Sequence, residues 1–257
     1  MFQLKWRRWL IVFFAILLPA TAHGGRFAVR PVKLFFKAGI KISSFKVLSG
    51  DEKELTIQIK AVSWSHDDAG RDTYGETKDL LVFPRVFKIK PKTERVVRVA
   101  LRAKKTRSKE HTYRIFVEEL PVAGRERIQV QITLRIGVPV FISPSIGRDK
   151  WEIEGVGMEK GQVTVLVRND GNQHVIVRNI GTTGLDAGNG EVFSKSIPGW
   201  YVLAGSKRRF LIPVPREPCL KIRALKVLAI SLGKGTKVAE SKFGPDSSAC
   251  PKPKEKK

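Results

Sequence analysis

The chain has 257 residues, 48 of them Lys or Arg against 24 Asp or Glu, for a net charge of +24. A balance this basic raises nucleic acid as a partner, but the cations are spread along the chain rather than gathered in one arm, and an export leader leads away from it. Anionic lipid surfaces, peptidoglycan or an acidic protein partner fit better. Cys219 and Cys250 stand too far apart for C-x-x-C redox chemistry, and no histidine cluster has metal-ligand spacing, so the sequence implies neither metal nor cofactor.

Residues 1–22 read as a signal peptide: Lys5, Arg7 and Arg8 open it, an apolar run follows, and Ala20-Thr21-Ala22 offers a small-x-small cleavage site. That run is shorter than the roughly 20 residues a bilayer span needs, so no stable membrane insertion is expected. The mature chain is expected to be exported.

The body reads as all-β. Alternating or continuous β-branched and aromatic segments occur at 27–36, 55–64, 95–101, 112–120, 127–142, 162–167, 174–180, 208–214 and 224–232. Turn signals such as Ser49-Gly50-Asp51 separate them, and no window carries a sustained helical period. Segment 127–142 places Ile128, Val130, Ile132, Leu134, Ile136, Val138 and Val140 on one face. A run of this length reads either as a long core strand or as a strand that lends its side chains to a second protein. Gln129, Gln131, Thr133 and Arg135 on the other face argue against a strand buried on both sides.

Pro144-Ser145-Ile146-Gly147 ends that ladder and supplies a hinge. The expected organisation is therefore a signal peptide (1–22), a first domain (23–144), a second domain (145–250) and a disordered basic tail (251–257). After export, Cys219 and Cys250 read as a disulfide tying the tail to the body.

Several phrases in order resemble the periplasmic pilus-assembly chaperones, the PapD-like family of the chaperone–usher pathway. They are Val32-Lys33-Leu34-Phe35-Phe36, Ala61-Val62-Ser63-Trp64, Leu81-Val82-Phe83-Pro84-Arg85 with Ile89-Lys90-Pro91, and Tyr113-Arg114-Ile115-Phe116-Val117-Glu118-Glu119-Leu120-Pro121. The strand ending Val138-Pro139-Val140-Phe141-Ile142-Ser143-Pro144 is the fifth, and Val202-Leu203-Ala204-Gly205-Ser206 looks like the family's second domain. The wording of the last two first-domain phrases is nearest to the archaic branch.

The resemblance implies two immunoglobulin-like β-sandwiches in an L or boomerang arrangement. It also implies a non-enzymatic role: a pilin subunit lacking its last strand is completed by the chaperone and delivered to an outer-membrane usher. On the family motif the donor residues fall at Val130, Ile132 and Leu134, flanked by Ile128 and Ile136. The family anchors the pilin's terminal carboxylate with two cleft cations. The first position carries Lys33, but the second falls on Pro139, which leaves Arg114 and Arg135 as substitutes. Arg98 and Glu119 match a structural ion pair, and Trp64, Tyr113 and Phe116 are expected in the first domain's core.

Candidates for catalysis are poor. The stretch from Ser63 to Asp68 holds Ser, His and Asp together but reads as a polar turn, because a triad is assembled from separated elements. The competing function is an immunoglobulin-like envelope or cell-surface module that uses its basic face on anionic glycans or lipids.

Overall fold

Strands with one face turned inward build two pairs of facing sheets. The computed structural model describes residues 27–102, 108–121, 133–242 and 249–251. The expected leader, the tail beyond 251 and the donor positions Ile128, Val130 and Ile132 lie outside the described residues.

In the first half, β1 (Phe27–Arg30), β3 (Ile42–Ser49), β8 (Glu94–Leu101) and β6 (Leu80–Phe83) form a four-stranded sheet in the order β1-β3-β8-β6. Its partner runs β2-β10-β9-β4-β5, from β2 (Leu34–Phe36), β10 (Arg135–Ile142), β9 (His111–Leu120), β4 (Leu55–His66) and β5 (Asp72–Glu76). A further strand, β7 (Val86–Ile89), pairs with the start of β4. Phe36, Phe45, Val47, Ile57, Val97, Val99, Ile115, Val117, Val138 and Val140 meet between the sheets. Each such side chain contributes about 1.5–3 kcal/mol by leaving water.

In the second half, β11 (Trp151–Glu159), β12 (Gln162–Asn169) and β16 (Ser206–Pro213) form one sheet. The other runs β14 (Glu191–Pro198), β13 (Val175–Leu185), β17 (Ala224–Ser231) and β18 (Thr236–Lys242), with β15 (Tyr201–Val202) paired to β13. Val163, Val165, Val167, Val177, Ile180, Ile212, Leu225 and Val227 fill this second core. Cys219 and Cys250 are disulfide-bonded with Cα atoms 5.7 Å apart, both packed against that core.

Two expectations are corrected. Segment 27–36 is two strands: β1 pairs antiparallel with β3, while β2 pairs parallel with β10 in the other sheet. Pro31, with no N–H to donate, stands at the crossing between sheets. Of segment 127–142 the structure describes residues 133–142, and β10 covers Arg135–Ile142 of them. A helix does occur, α1 (Arg216–Lys221), six residues capped by Pro215. It is too short to show a helical period in the sequence.

Candidate functional site

The edge of β10 is the first element of the site. Its whole length pairs with β9, from Arg135 opposite Glu118 to Ile142 opposite His111. On the other side β2 covers only Val140, Phe141 and Ile142. The backbone from Arg135 to Pro139 therefore presents an open edge among the described residues. The same-face side chains grade along this edge. Val138, Val140 and Ile142 are sealed in the core, whereas Leu134 and Ile136 are only half-buried against it.

The outer face of this sheet turns toward the second sandwich. Pro139 lies opposite Arg114, and the β2 register carries Lys33 to its other side. Lys33, Pro139 and Arg114 thus form one row across three strands about 4.8 Å apart. The next row holds Phe35, Phe141, Thr112 and Trp64, with Tyr74 beyond. The Lys33 ammonium lies 5.8 Å from the Tyr201 ring centroid, toward the second sandwich. Arg114 is nearly buried: its guanidinium stacks 3.9 Å over Trp64 and donates to the Tyr74 hydroxyl at 3.0 Å. Its Nε has no hydrogen-bond partner among the described residues.

Asp72 is the charged node of the junction. Arg208 of β16 donates to it at 2.8 Å and the Trp200 indole at 3.0 Å, both from the second sandwich. His66 Nε2 lies 3.2 Å away and Arg114 Nη1 3.9 Å away. Burial works against the charged form, but the bonds from His66, Arg208 and Trp200 outweigh it and hold this carboxyl well below the usual carboxylate range. The turn that carries Asp72 requires glycine. Gly70 has φ +76°, and a Cβ there would stand 2.5 Å from the Arg208 Cα.

An apolar seam completes the junction: Trp64, Phe141, Tyr201 and Leu203 form their own cluster. His174 stacks on Phe141 at 3.8 Å and its Nδ1 meets the Glu110 carboxylate at 2.8 Å. Asn172 donates to the carbonyls of Ser108 and Ile146, joining the first sandwich to the hinge.

The structure separates the expected site residues into three groups. Leu134 and Ile136 lie at the open edge, and Lys33 and Arg114 share the cleft row. Arg135 instead pairs with Glu118 at 2.6 Å and lies over Phe116 at 3.7 Å, two rows along β10 from Pro139. The two residues of the expected ion pair, Arg98 and Glu119, stand on different faces of the first sandwich. Arg98 points outward from β8 between buried Val97 and Val99, while Glu119 is buried on β9 of the opposite sheet. Tyr113 is in the first core as expected. Trp64 belongs to the junction, and Phe116 to the outer face under Arg135. Residues Ser63 to His66 are strand rather than turn, and the turn is built by Asp67, which accepts from Arg71 N and Nε at 2.8 Å each. Sequence reasoning did not single out Asp72 or Trp200, and it placed Arg208 only on a second-domain strand without a role at the junction.

Comparison with known proteins bears on the fold. The family model of the pili and flagellar-assembly chaperones, PapD N-terminal domain, matches residues 26–147. The fold is similar to that of the CsuC–CsuE chaperone–tip adhesion subunit pre-assembly complex from archaic chaperone–usher Csu pili of Acinetobacter baumannii, at 19% identity over 84% of this chain and 98% of that one, TM-score 0.58. The YadV chaperone aligns at 14% identity over 85% of this chain and 100% of its own, TM-score 0.55. The Salmonella enterica SafA pilin in complex with the SafB chaperone aligns at 10% identity, covering 84% and 96%, TM-score 0.51. At these identities the likeness is one of fold. No curated protein sequence matches the chain.

Proposed function

Through residues 26–147 the chain belongs to the PapD-like pilus-assembly chaperones, and from that premise we propose that it captures pilin-type subunits in the periplasm by donating a strand to them. Its work is binding, not catalysis. The observation that carries this reading is the open edge of β10 beside half-buried Leu134 and Ile136. An incomplete subunit offers a matching edge with unpaired N–H and C=O groups, and β-augmentation satisfies both edges at once. Leu134 and Ile136 leave the rim of the chaperone's core for the subunit's groove, joined by Ile128, Val130 and Ile132 upstream in the same alternation.

Lys33 and Arg114 flank Pro139 in the cleft, and together they take the subunit's terminal carboxylate. The cation missing at Pro139 is thereby supplied from the neighbouring strand rather than from β10 itself. Delivery to an outer-membrane usher completes the cycle, and the archaic pilins are the subunit class that the motif wording favours. Among the described residues no helix is long and apolar enough to cross a membrane.

The decisive experiment is coexpression with a small exported pilin-like subunit. The wild-type chain copurifies with it one-to-one and keeps it soluble, and a photo-crosslinker at Leu134 reaches the subunit. Crosslinks confined to the basic outer surface, with salt-sensitive binding to anionic vesicles or glycans and no subunit captured, would instead establish the envelope-binding module.

A further inference from the structure

The cleft that is to receive a carboxylate already holds one. We infer that Asp72 is a built-in competitor for the client's terminal carboxylate, drawing Arg114 away from Lys33 until a client arrives. The inference rests on the reading of Lys33 and Arg114 as the anchor.

Three observations lead to it. Arg114 and Lys33 sit in one row on either side of Pro139, the placement a shared carboxylate needs. Yet the Arg114 guanidinium is folded over Trp64 toward Tyr74 and Asp72, at the opposite end of its reach from Lys33. The contact with Asp72 is also loose. At 3.9 Å it is an ion pair without a hydrogen bond, whereas Arg208 takes the same carboxylate at 2.8 Å. Arg114 Nε is buried and, among the described residues, unpartnered, a donor that a second carboxylate can satisfy.

The two arginines therefore divide the work. Arg208, from the second sandwich, holds Asp72 in place and neutralises it. Arg114, held by stacking and one phenol hydroxyl, remains exchangeable. A client carboxylate between Lys33 and Arg114 replaces a long contact by short charge-assisted bonds. Asp72 stays with Arg208, Trp200 and His66, so capture leaves the junction between the sandwiches intact. Asp72 sets the threshold for capture: a subunit must bring both its groove and its carboxylate to displace the internal one.

The test uses N-acetylvaline as the carboxylate probe and N-acetylvalinamide as its neutral twin, titrated into the intact chain while the arginine Nε–Hε resonances are followed by NMR. Asp72→Asn removes the competing charge and is expected to bind N-acetylvaline about tenfold more tightly than the wild type, with the Arg114 signal shifting and the amide inert. Arg208→Gln frees Asp72 to close on Arg114 and is expected to weaken binding about tenfold; it carries the test with opposite sign if Asp72→Asn does not fold. The inference is overturned if Asp72→Asn binds the probe no more tightly than the wild type, or if neither binds up to about 50 mM. Tighter binding by Asp72→Asn alongside undiminished subunit capture by Leu134→Asp would uphold the competitor and sink only the donor strand.

Discussion

Asp72 of the first sandwich accepts a hydrogen bond at 2.8 Å from Arg208 of the second, so a carboxylate on a hairpin end sets where the two bodies meet. Its charge has a consequence for stability. The folded-state pKa lies below the ordinary value of 3.8, so the contact stabilises fully above that value. The contribution is lost as pH falls through the folded value. Arg208→Ala should cost about 2 kcal/mol near neutral pH, the usual worth of a hydrogen bond to a charged group. Thermal unfolding from pH 6 down to 2.5 should show the gap between wild type and Asp72→Asn narrowing only below about pH 4. A gap that is constant across the range would show that the charge of Asp72 does not hold the junction.

The gradient of burial along β10 separates binding from folding. Val138 is fully buried in the first core, and Val138→Asp should unfold that sandwich, at a cost of more than about 4 kcal/mol. Leu134 and Ile136 are half-buried, so Leu134→Asp and Ile136→Asp should leave the circular dichroism spectrum intact. Both should abolish one-to-one copurification with a subunit. A folded Leu134→Asp chain that still protects its subunit would remove the edge of β10 from the mechanism.

How much of this was legible beforehand depends on the range of the interaction. The alternation in β4, β12 and β17 is local, and the strands appear where the period of two places them. The short β5 and α1 lack enough periods to be seen. Arg98 and Glu119 show a signal present but unused. Arg98 sits between Val97 and Val99, so strand parity already turned it outward, whereas Glu119 shares parity with Ile115 and Val117. The Asp72–Arg208 contact spans 136 positions and two sandwiches, and no local pattern encodes it. Arg114 lies between these extremes. Its strand was readable, but its place beside Pro139 depended on a register fixed only by the folded sheet.

The disulfide should be a matter of stability alone. Cys219 and Cys250 are 31 positions apart and close the end of the chain onto the second core. In the chain-entropy model a loop of that size is worth about 3–4 kcal/mol. The double variant Cys219→Ser with Cys250→Ser should therefore lose stability in urea by roughly that amount. Subunit capture at low temperature should be unchanged, since both residues lie in the second sandwich away from β10. Loss of capture by a folded double variant would place part of the binding surface near α1.

The three candidate anchors make distinguishable demands. Arg114 stacks over Trp64 and shares the Pro139 row with Lys33, so Arg114→Ala and Lys33→Ala should each weaken capture about ten- to a hundredfold, measured by calorimetry with an acid-terminated subunit. Amidation of the subunit's C-terminus should erase most of either effect, because the lost partner is then already missing. Arg114→Lys keeps the charge but loses the planar fork and the stacking, and should recover only part of the affinity. Lys33→Arg supplies a fork at the row's other end and should match or exceed the wild type. Arg135 is committed to Glu118 and Phe116 on the outer face, so Arg135→Ala should stay within about twofold. If Arg135→Ala were the variant that lost carboxylate dependence, the anchor would lie on β10 after all, and the row across Pro139 would not bind the client's terminus.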